Sequence, residues 1–217
     1  MEAQRSPEWF ADRLGKITAS RMCDVMAMND PAVFKSGPRK GQAKPVDQKS
    51  RTDYMRELAT QRITGIAADQ ISAAALKWGE EVEPAARQAY QAKRGVIVRQ
   101  CGFMVHPSHD FIGASPDFLV GMDGGGEIKC PYSRETHTAT LLDGLPSEHI
   151  EQIQGGLWVT DRQYWDFVSF HPEFPPHSRL YIQRVQRDND YIDKLEAACL
   201  SLEADVQAIV SKLQGTS

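Results

Sequence analysis

Two acids and a lysine near the middle of the chain have a spacing that suits metal-dependent hydrolysis. Nine residues separate Asp117 from Glu127, and Lys129 follows two residues after Glu127. Because side chains alternate along a β-strand, Glu127 and Lys129 should face the same way, while Ile128 turns its side chain into the core. If the two segments form a hairpin, Asp117 meets this pair from the neighbouring strand.

Two carboxylates held close together repel each other, and the arrangement becomes favourable when a hard divalent cation lies between them. We therefore expect Mg²⁺ or Mn²⁺ at this position. A lysine ammonium beside such a cation can orient or deprotonate an attacking water, or offset the charge that grows on a scissile phosphate. An acid pair alone also fits an ordinary solvated turn, so Lys129 on the same face is what favours phosphodiester hydrolysis.

The elements that must hold these residues are indicated by caps and periodicity. Several helices are predicted before the first strand, because Ser, Pro and Gly occupy positions that begin and end helices. The predicted bounds are Ser6 to Gly15, about 18 to 26, 54 to Gly65, and Ser72 to Arg94 followed by Gly95.

From Val96 the pattern changes to short β-rich runs. We expect a meander of strands in VIVRQCGFMV, FIGASPDFLV and EIKCP, separated by a His-Pro-Ser-His-Asp turn and an Asp-Gly-Gly-Gly turn. A helix over 148–159, two strands (YWDFVSF and RLYIQRV) and a closing helix over 190–213 follow. This order predicts an α/β fold with a central mixed β-sheet flanked by helices, in one domain spanning 1–217.

Composition excludes several classes of protein. The 217 residues are 41% hydrophobic and 25% charged, which rules out a disordered or collagen-like chain, and no apolar run approaches a membrane span. The N-terminus has no apolar signal core, so we expect a cytoplasmic protein. The four cysteines lie far apart and form no CxxC pair, which argues against a disulfide framework and a cysteine zinc site.

Charge is unevenly distributed along the chain. The net charge is −4, but residues 1–62 carry 12 Lys and Arg against 8 Asp and Glu, whereas the remaining residues carry 13 against 21. Residues 35–51 hold six basic residues, one acid, two glycines and two prolines, which predicts a mobile, positively charged loop. A solvated loop is the simpler interpretation, and a polyanionic partner stays open.

The motifs around these residues resemble the PD-(D/E)xK nuclease superfamily, which has a restriction-endonuclease-like core. Within it they resemble the lambda exonuclease, or YqaJ-type viral recombinase, family. The matching segments, in order, are Trp9, Arg13-Leu14-Gly15 and Ile17-Thr18-Ala19-Ser20; Trp78 to Glu83; Gly113 to Asp117; Glu127 to Pro131; and Gln152 to Gln154 with Trp158-Val159-Thr160. The shared order of these motifs carries the resemblance, since the hairpin alone is too common a feature.

The resemblance implies a metal site and a catalytic lysine. Asp117 and Glu127 would bind Mg²⁺, one or two ions per site, together with the backbone carbonyl of Ile128. Glu83, on the long helix, would complete the acidic site or hold a second metal ion. Lys129 would be the catalytic lysine, and Mn²⁺ would substitute for Mg²⁺.

The resemblance also implies a pocket for a 5′-terminal phosphate. Arg13, Ser20, Ser115 and Gln154 would line it, because a guanidinium fork and neutral donors suit a phosphate group. Gln152 would lie beside the pocket. Trp9 would belong to the same DNA-binding part, as a packing residue more than a base-stacking one.

The implied activity is that of a Mg²⁺-dependent 5′→3′ exonuclease on double-stranded DNA. It would start at 5′-phosphorylated ends, release mononucleotides and leave 3′ single-stranded tails for recombination by annealing. The expected partners are DNA ends, two further copies of the chain in a homotrimeric ring, and a phage-type single-strand annealing protein, with no membrane. Residues 1–65 would be the helical, DNA-facing part, and residues 66–217 the nuclease core with its C-terminal helix.

Two alternatives stay open at this point. A structure- or sequence-specific endonuclease of the same superfamily would share Asp117, Glu127 and Lys129 but lack the phosphate pocket. A non-catalytic DNA-end or protein-interaction module would keep only the fold, which the intact set of two acids and a lysine argues against.

Overall fold

A computed structural model describes residues 4–28, 33, 35–42, 46–67 and 73–215 of the chain. The helices and strands in chain order are α1 (Pro7–Arg13), β1 (Ile17–Thr18), α2 (Met22–Val25), α3 (Lys49–Thr64), α4 (Ala73–Arg94), β2 (Val98–Arg99), β3 (Met104–Val105), β4 (Ile112–Ala114), β5 (Phe118–Val120), β6 (Gly124–Lys129), α5 (Arg134–Asp143), α6 (Ile150–Thr160), β7 (Tyr164–Phe170), β8 (Leu180–Gln186) and α7 (Asn189–Gln214). Single turns of 3₁₀-helix, Ala19–Arg21 and Ser147–His149, precede α2 and α6.

Helix boundaries follow the local signals in the sequence. The Ser6 hydroxyl accepts a hydrogen bond from the Trp9 backbone N–H, and Pro7 occupies the first turn of α1, where its missing donor is not needed. α3 ends at Gly65, whose φ of +69° lies in the left-handed region that favours glycine. These predicted boundaries are confirmed, while the predicted cap Ser72 lies outside the described residues.

The strands form two mixed sheets flanked by helices. The larger sheet has the order β2-β5-β6-β7-β8, in which β6 and β7 are parallel and the other neighbours antiparallel. The smaller sheet has the order β1-β4-β3, with β1 parallel to β4. The predicted α/β fold is thus confirmed, but the single meander is wrong, because β4 pairs with β3 and with the short strand β1, and neither β3 nor β4 joins β2 and β5.

The larger sheet is covered by helices on both faces. α4 packs on one face through Val82, Ala86 and Tyr90, and α6 packs on the other through Ile153 and Leu157. Side chains of β7 alternate between these faces, as expected for a strand with both faces buried. The parallel step from β6 to β7 requires a crossover connection, and α5 and α6 supply it. Helix α5, capped by the Ser133 hydroxyl, was not expected from the sequence.

The basic segment 35–51 is only partly a loop. α3 already begins at Lys49, and Arg51 is just 1% exposed. Its guanidinium donates to Asp47 over 2.9 Å and to the backbone carbonyl of Val25, which ties α2 to α3. Arg51 therefore stabilises the fold and is withdrawn from any polyanionic partner. Within the described ranges, no helix is long and apolar enough to cross a membrane.

Three consecutive glycines, expected to form a turn, instead begin strand β6. The turn consists of the preceding residues, and Gly124, Gly125 and Gly126 pair with both β5 and β7. A Cβ atom on any of the three would collide with an aromatic ring, from Tyr164, Trp165 and Phe118 respectively. The glycines are therefore required by the rings that lie against the strand, and not by a turn.

We predict that Gly126→Ala lowers the free energy of unfolding by about 1 to 3 kcal/mol, because the methyl group overpacks the buried Phe118 ring. Urea denaturation measures the change. Gly79→Ala is the control, since Gly79 lies in α4 with no described atom within 4 Å of the added Cβ, and alanine favours a helix by about 0.5 to 1 kcal/mol. Equal stability of the two variants would contradict the packing account.

Candidate active site

The β5–β6 hairpin brings two carboxylates to one end of the larger sheet. The backbone N–H of Asp117 donates to the Gly126 carbonyl at 3.1 Å, so Asp117 lies beside Glu127 at the edge of the ladder. Oδ2 of Asp117 in turn accepts a hydrogen bond of 2.6 Å from the backbone N–H of Ile128. The Ile128 side chain packs toward α4, on the opposite face from Glu127, as strand alternation predicts.

Lys129 joins this pair on the same face as Glu127. Its Nζ donates to Oε1 of Glu127 at 2.8 Å and to Oε1 of Gln152 at 3.1 Å. The first contact links neighbouring positions of one strand face, and the second links β6 to α6. The structure thus brings together the two acids and the lysine whose spacing suggested chemistry.

The electrostatics of this cluster are those of a crowded acidic site. Withdrawal from water raises the pKa of Asp117 well above its usual value, and the negative charges of Glu127 and Glu83 raise it further. For Lys129, burial opposes the charged form, but the adjacent Glu127 outweighs it and raises the lysine pKa. Asp117 is therefore hard to ionise in the protein alone, while Lys129 stays a cation.

Glu83 contributes negative charge to the acidic site from α4. Its carboxylate forms an ion pair with Arg87, one turn further along α4, and it acts on Asp117 only through its charge. That Glu83 completes the acidic site or holds a second metal ion stays a prediction. In the described part of the chain, no set of three or more His, Cys, Asp and Glu side chains is arranged to hold a metal ion.

The oxygen donors of the site other than Glu83 nevertheless fit a hard divalent cation. They are the carboxylates of Asp117 and Glu127 and the backbone carbonyl of Ile128, which are oxygen atoms of the kind that Mg²⁺ and Mn²⁺ prefer. Mg²⁺ typically uses one or two protein carboxylates and keeps several waters, so a third side chain is not required. The raised pKa of Asp117 supports the same conclusion, since a bound cation would offset the repulsion that raises it.

A cationic pocket adjoins the acidic cluster. At the end of α1, Nη1 of Arg13 donates to the Ser115 hydroxyl at 3.1 Å and Nη2 to the Ser20 hydroxyl at 3.5 Å. Burial lowers the pKa of Arg13, while Tyr54 and Glu127 act in the opposite direction. The structure therefore brings these three predicted pocket residues together, in a partly desolvated place where an anion would interact strongly with the guanidinium.

Trp9 orients two members of this pocket. Its indole N–H donates to the Ser115 hydroxyl at 2.9 Å, and the Arg13 guanidinium lies 4.2 Å from the centre of its ring. The contact fits a cation–π interaction. Trp9 thus packs behind the pocket, in agreement with a packing role, and its ring face is already covered by the guanidinium.

Gln154 and Gln152 exchange the places that were expected of them. Gln154 is buried, and its amide donates to the Gln186 carbonyl at 3.0 Å and accepts from the Asp188 backbone N–H at 3.1 Å. It therefore stabilises the junction of β8 and α7 and does not line the pocket. Gln152 lines it instead, on the same helical face as Gly156, four residues further on.

The two parts of the site share one small cavity. Glu127 of the acidic cluster and Trp165 of β7 line it together with residues of the cationic pocket. The lining residues are Arg13, Ala19, Ser20, Ala114, Ser115, Pro116, Glu127, Gln152, Gly156 and Trp165. Sequence reasoning missed Trp165. The signal that could have found it is strand alternation combined with the register of β6 and β7, which places Trp165 beside Gly125 on the face of Glu127.

Comparison with known proteins identifies the family. The model of the YqaJ-like viral recombinase domain matches residues 8–163, which include the acidic cluster and the cationic pocket but not Trp165. The chain belongs to this family. A curated relative, uncharacterized protein R354 of Acanthamoeba polyphaga mimivirus, is 33% identical over 103 residues, which are 42% of this chain and 19% of that protein. The chain thus spans about a fifth of the length of that relative.

Solved structures share the fold over nearly the whole chain. An alkaline exonuclease from Laribacter hongkongensis is 38% identical with a TM-score of 0.82, covering 96% of both chains. Its complex with dAMP matches with 39% identity, the same TM-score and the same coverage. A phage related exonuclease from Haemophilus somnus 129PT, 18% identical with a TM-score of 0.71 over 91% of this chain and 96% of that one, shows the same fold. The family and these likenesses support a nuclease of the recombination type.

We predict that Asp117→Asn raises the melting temperature of the metal-free protein at neutral pH. Because the folded pKa of Asp117 is raised, stability is lost as pH rises from the usual aspartate range through that pKa. Asparagine can keep the hydrogen bond from Ile128 without carrying the charge. Its advantage over the unmodified protein should therefore shrink as the pH falls.

Thermal unfolding in a chelator between pH 4 and 8 measures this difference. Asp123→Asn, at an exposed position in the turn of the same hairpin, controls for the removal of a negative charge. An advantage of Asp117→Asn that is constant across this pH range would show that carboxylate repulsion is not its source.

Proposed function

We propose that this chain is a divalent-metal-dependent exonuclease that degrades one strand of linear double-stranded DNA from its 5′-phosphorylated ends. It would release mononucleotides and leave 3′ single-stranded tails for recombination by strand annealing. One observation carries the proposal: the cationic pocket suited to a terminal phosphate lines the same small cavity as Glu127, which Lys129 contacts and which lies beside Asp117. Family membership and the likeness to alkaline exonucleases support it.

In this proposal Asp117, Glu127 and the Ile128 carbonyl hold Mg²⁺, with Mn²⁺ as a substitute and Glu83 as an outer negative charge. When bound, such an ion supplies Lewis acidity to a phosphoryl oxygen and lowers the pKa of a bound water. The hydrogen bond from Ile128 to Asp117 and the ion pair of Glu127 with Lys129 fix both carboxylates in place before substrate arrives. Such fixed groups need little rearrangement during the reaction.

Lys129 would act on the reacting phosphate. Its ammonium is held between Glu127 and Gln152, while the Lys129 side chain stays 33% exposed. From there it can orient water or stabilise the negative charge that grows on the phosphate oxygens. Gln152 would be the positioning residue for this lysine, a role that its neighbour Gln154 cannot take.

Arg13, Ser20 and Ser115 would hold the 5′-terminal phosphate. A guanidinium with two hydroxyl partners offers several donors to one phosphate group, and partial burial strengthens each interaction. Because this pocket borders Glu127, a bound end would place the adjacent phosphodiester near the acidic cluster. Recognition of the end thereby sets the cleavage position, which favours release of single nucleotides.

Digestion of a linear duplex and of a closed circular plasmid, each with protein and Mg²⁺, tests the proposal. An exonuclease consumes only the linear DNA. Cleavage of both would favour the endonuclease alternative, and cleavage of neither, with binding retained, would leave a non-catalytic module.

We predict that Lys129→Ala reduces turnover by about two to four orders of magnitude while DNA binding changes little, because the charge acts chiefly in the transition state. Single-turnover digestion and a separate binding titration measure the two effects. Lys212→Ala, which removes an exposed lysine near the end of α7, is the matched control. Near-normal turnover of Lys129→Ala would remove this lysine from the mechanism.

We predict that DNA with 5′-hydroxyl ends is degraded more slowly than its phosphorylated twin, and that Arg13→Ala reduces this difference about tenfold or more, since charged hydrogen bonds are lost. Initial rates on the two duplexes give the ratio. Arg134→Ala, at an exposed arginine of α5, controls for the loss of a positive charge. Equal rates on both ends with the unmodified protein would refute the phosphate pocket.

The proposal extends to assembly and partners. A homotrimeric ring closed by head-to-tail contacts would present three copies of the basic residues of 1–62 to encircled DNA, which would offset a net charge of −4 per chain. The natural partner of an enzyme that makes 3′ tails is a single-strand annealing protein. We predict a trimer by multi-angle light scattering, and a monomer at micromolar concentration would contradict the ring.

A further inference from the structure

The indole N–H of Trp165 is a buried donor without an acceptor. Trp165 is only 2% exposed, and its Nε1 has no hydrogen-bond partner in the described part of the chain. An indole has this single polar atom, which donates and cannot accept, so no second contact compensates for it. Buried tryptophan N–H groups are usually paired, and an unpaired one costs free energy.

The position of the ring places Trp165 at the shared cavity. Trp165 lies on β7 beside Gly125, two residues from Glu127 on the same face of β6. A Cβ on Gly156 would lie 2.9 Å from both Cη2 and Cζ2 of the indole and 3.4 Å from Cε2, the carbon bonded to Nε1. The side of the ring from Cη2 to Cε2, the carbon next to the N–H, therefore faces Gly156, which lines the cavity together with Trp165.

The groups around the cavity define what can accept this hydrogen bond. The hydroxyls of Ser20 and Ser115 already receive hydrogen bonds from Arg13, and Oε1 of Glu127 receives one from Lys129. An incoming acceptor with several free oxygens and a negative charge fits a cavity bordered by a guanidinium and a lone N–H donor. A terminal phosphate has these properties, whereas a 5′-hydroxyl offers one neutral oxygen.

We infer that the Trp165 indole N–H donates a hydrogen bond to the 5′-terminal phosphate of the DNA strand and so contributes to the choice of phosphorylated ends. The inference rests on the proposed function. It adds a neutral donor on β7 to the pocket formed by α1, the first 3₁₀ turn and the residue after β4. It also explains why both position 125 and position 156 are glycine, because a side chain at either position would displace the indole.

Trp165→Phe tests the inference, because it removes the N–H and keeps an aromatic ring. The measured quantity is the ratio of kcat/KM on 5′-phosphorylated and 5′-hydroxyl duplexes. We expect this ratio to fall about tenfold, the usual effect of losing a hydrogen bond to a charged group. Trp158→Phe is the matched control, since Trp158 is also buried but lies on α6, packs against His106 and is not among the cavity-lining residues. Its ratio should be unchanged.

The outcomes separate the inference from the function on which it rests. If the unmodified protein shows no preference for phosphorylated ends, the proposed phosphate pocket fails, whatever Trp165→Phe does. If the preference exists in the unmodified protein and persists in a Trp165→Phe variant whose melting curve shows that it is folded, only the role of Trp165 is overturned.

A second measurement covers the case in which Trp165→Phe does not fold. In the unmodified protein with ¹⁵N-labelled indoles, the resonance of Trp165 is assigned by elimination from single Phe variants of the other three tryptophans. We expect it to shift on addition of a deoxynucleoside 5′-monophosphate and to stay in place with the deoxynucleoside alone. A resonance that stays in place at saturating monophosphate would overturn the inference.

Discussion

The structure of this site depends on one electrostatic conflict, the repulsion between two carboxylates that a β-hairpin holds side by side. Asp117 and Glu127 are fixed by the backbone pairing of β5 and β6, so they cannot separate without breaking the ladder. Burial raises the cost of this arrangement, as the elevated pKa of Asp117 shows. A protein retains such strain where it has a use, and a divalent cation between the carboxylates is the use that the oxygen donors fit.

The surrounding elements turn this local conflict into a directed site. Arg13 approaches from α1, and the serine cap and the proline fix the residue at which this helix begins. Gln152 approaches from α6 and holds Lys129. These elements are far apart in sequence, and the shared cavity exists only because α6 packs on the same sheet face that carries Glu127. A nuclease that recognises a DNA end and cleaves beside it needs this proximity, since the position of the bound terminal phosphate fixes the position of the phosphodiester to be cleaved.

The sequence predicted what local rules determine and failed where distant packing decides. Glu127 and Lys129 could be placed on one face because strand alternation involves only neighbours. Gly124–Gly126 were expected to turn, because glycine permits turns, but the rings of other strands require them in β6. Gln154 was preferred to Gln152 for the pocket, although the two point in different directions on a helix, and only the packed structure shows which direction faces Arg13. The division of the strands into two sheets depended in the same way on pairing between distant residues.

The central claim is that a divalent cation resolves the repulsion between Asp117 and Glu127. The most direct test is the anomalous diffraction of crystals soaked with Mn²⁺, which locates the ion independently of activity. We predict a strong anomalous peak bounded by the carboxylates of Asp117 and Glu127 and the backbone carbonyl of Ile128, and its loss in crystals of Asp117→Asn. The account would be contradicted if the protein is active with Mn²⁺ in solution but its crystals, soaked in saturating Mn²⁺, show no peak at this position.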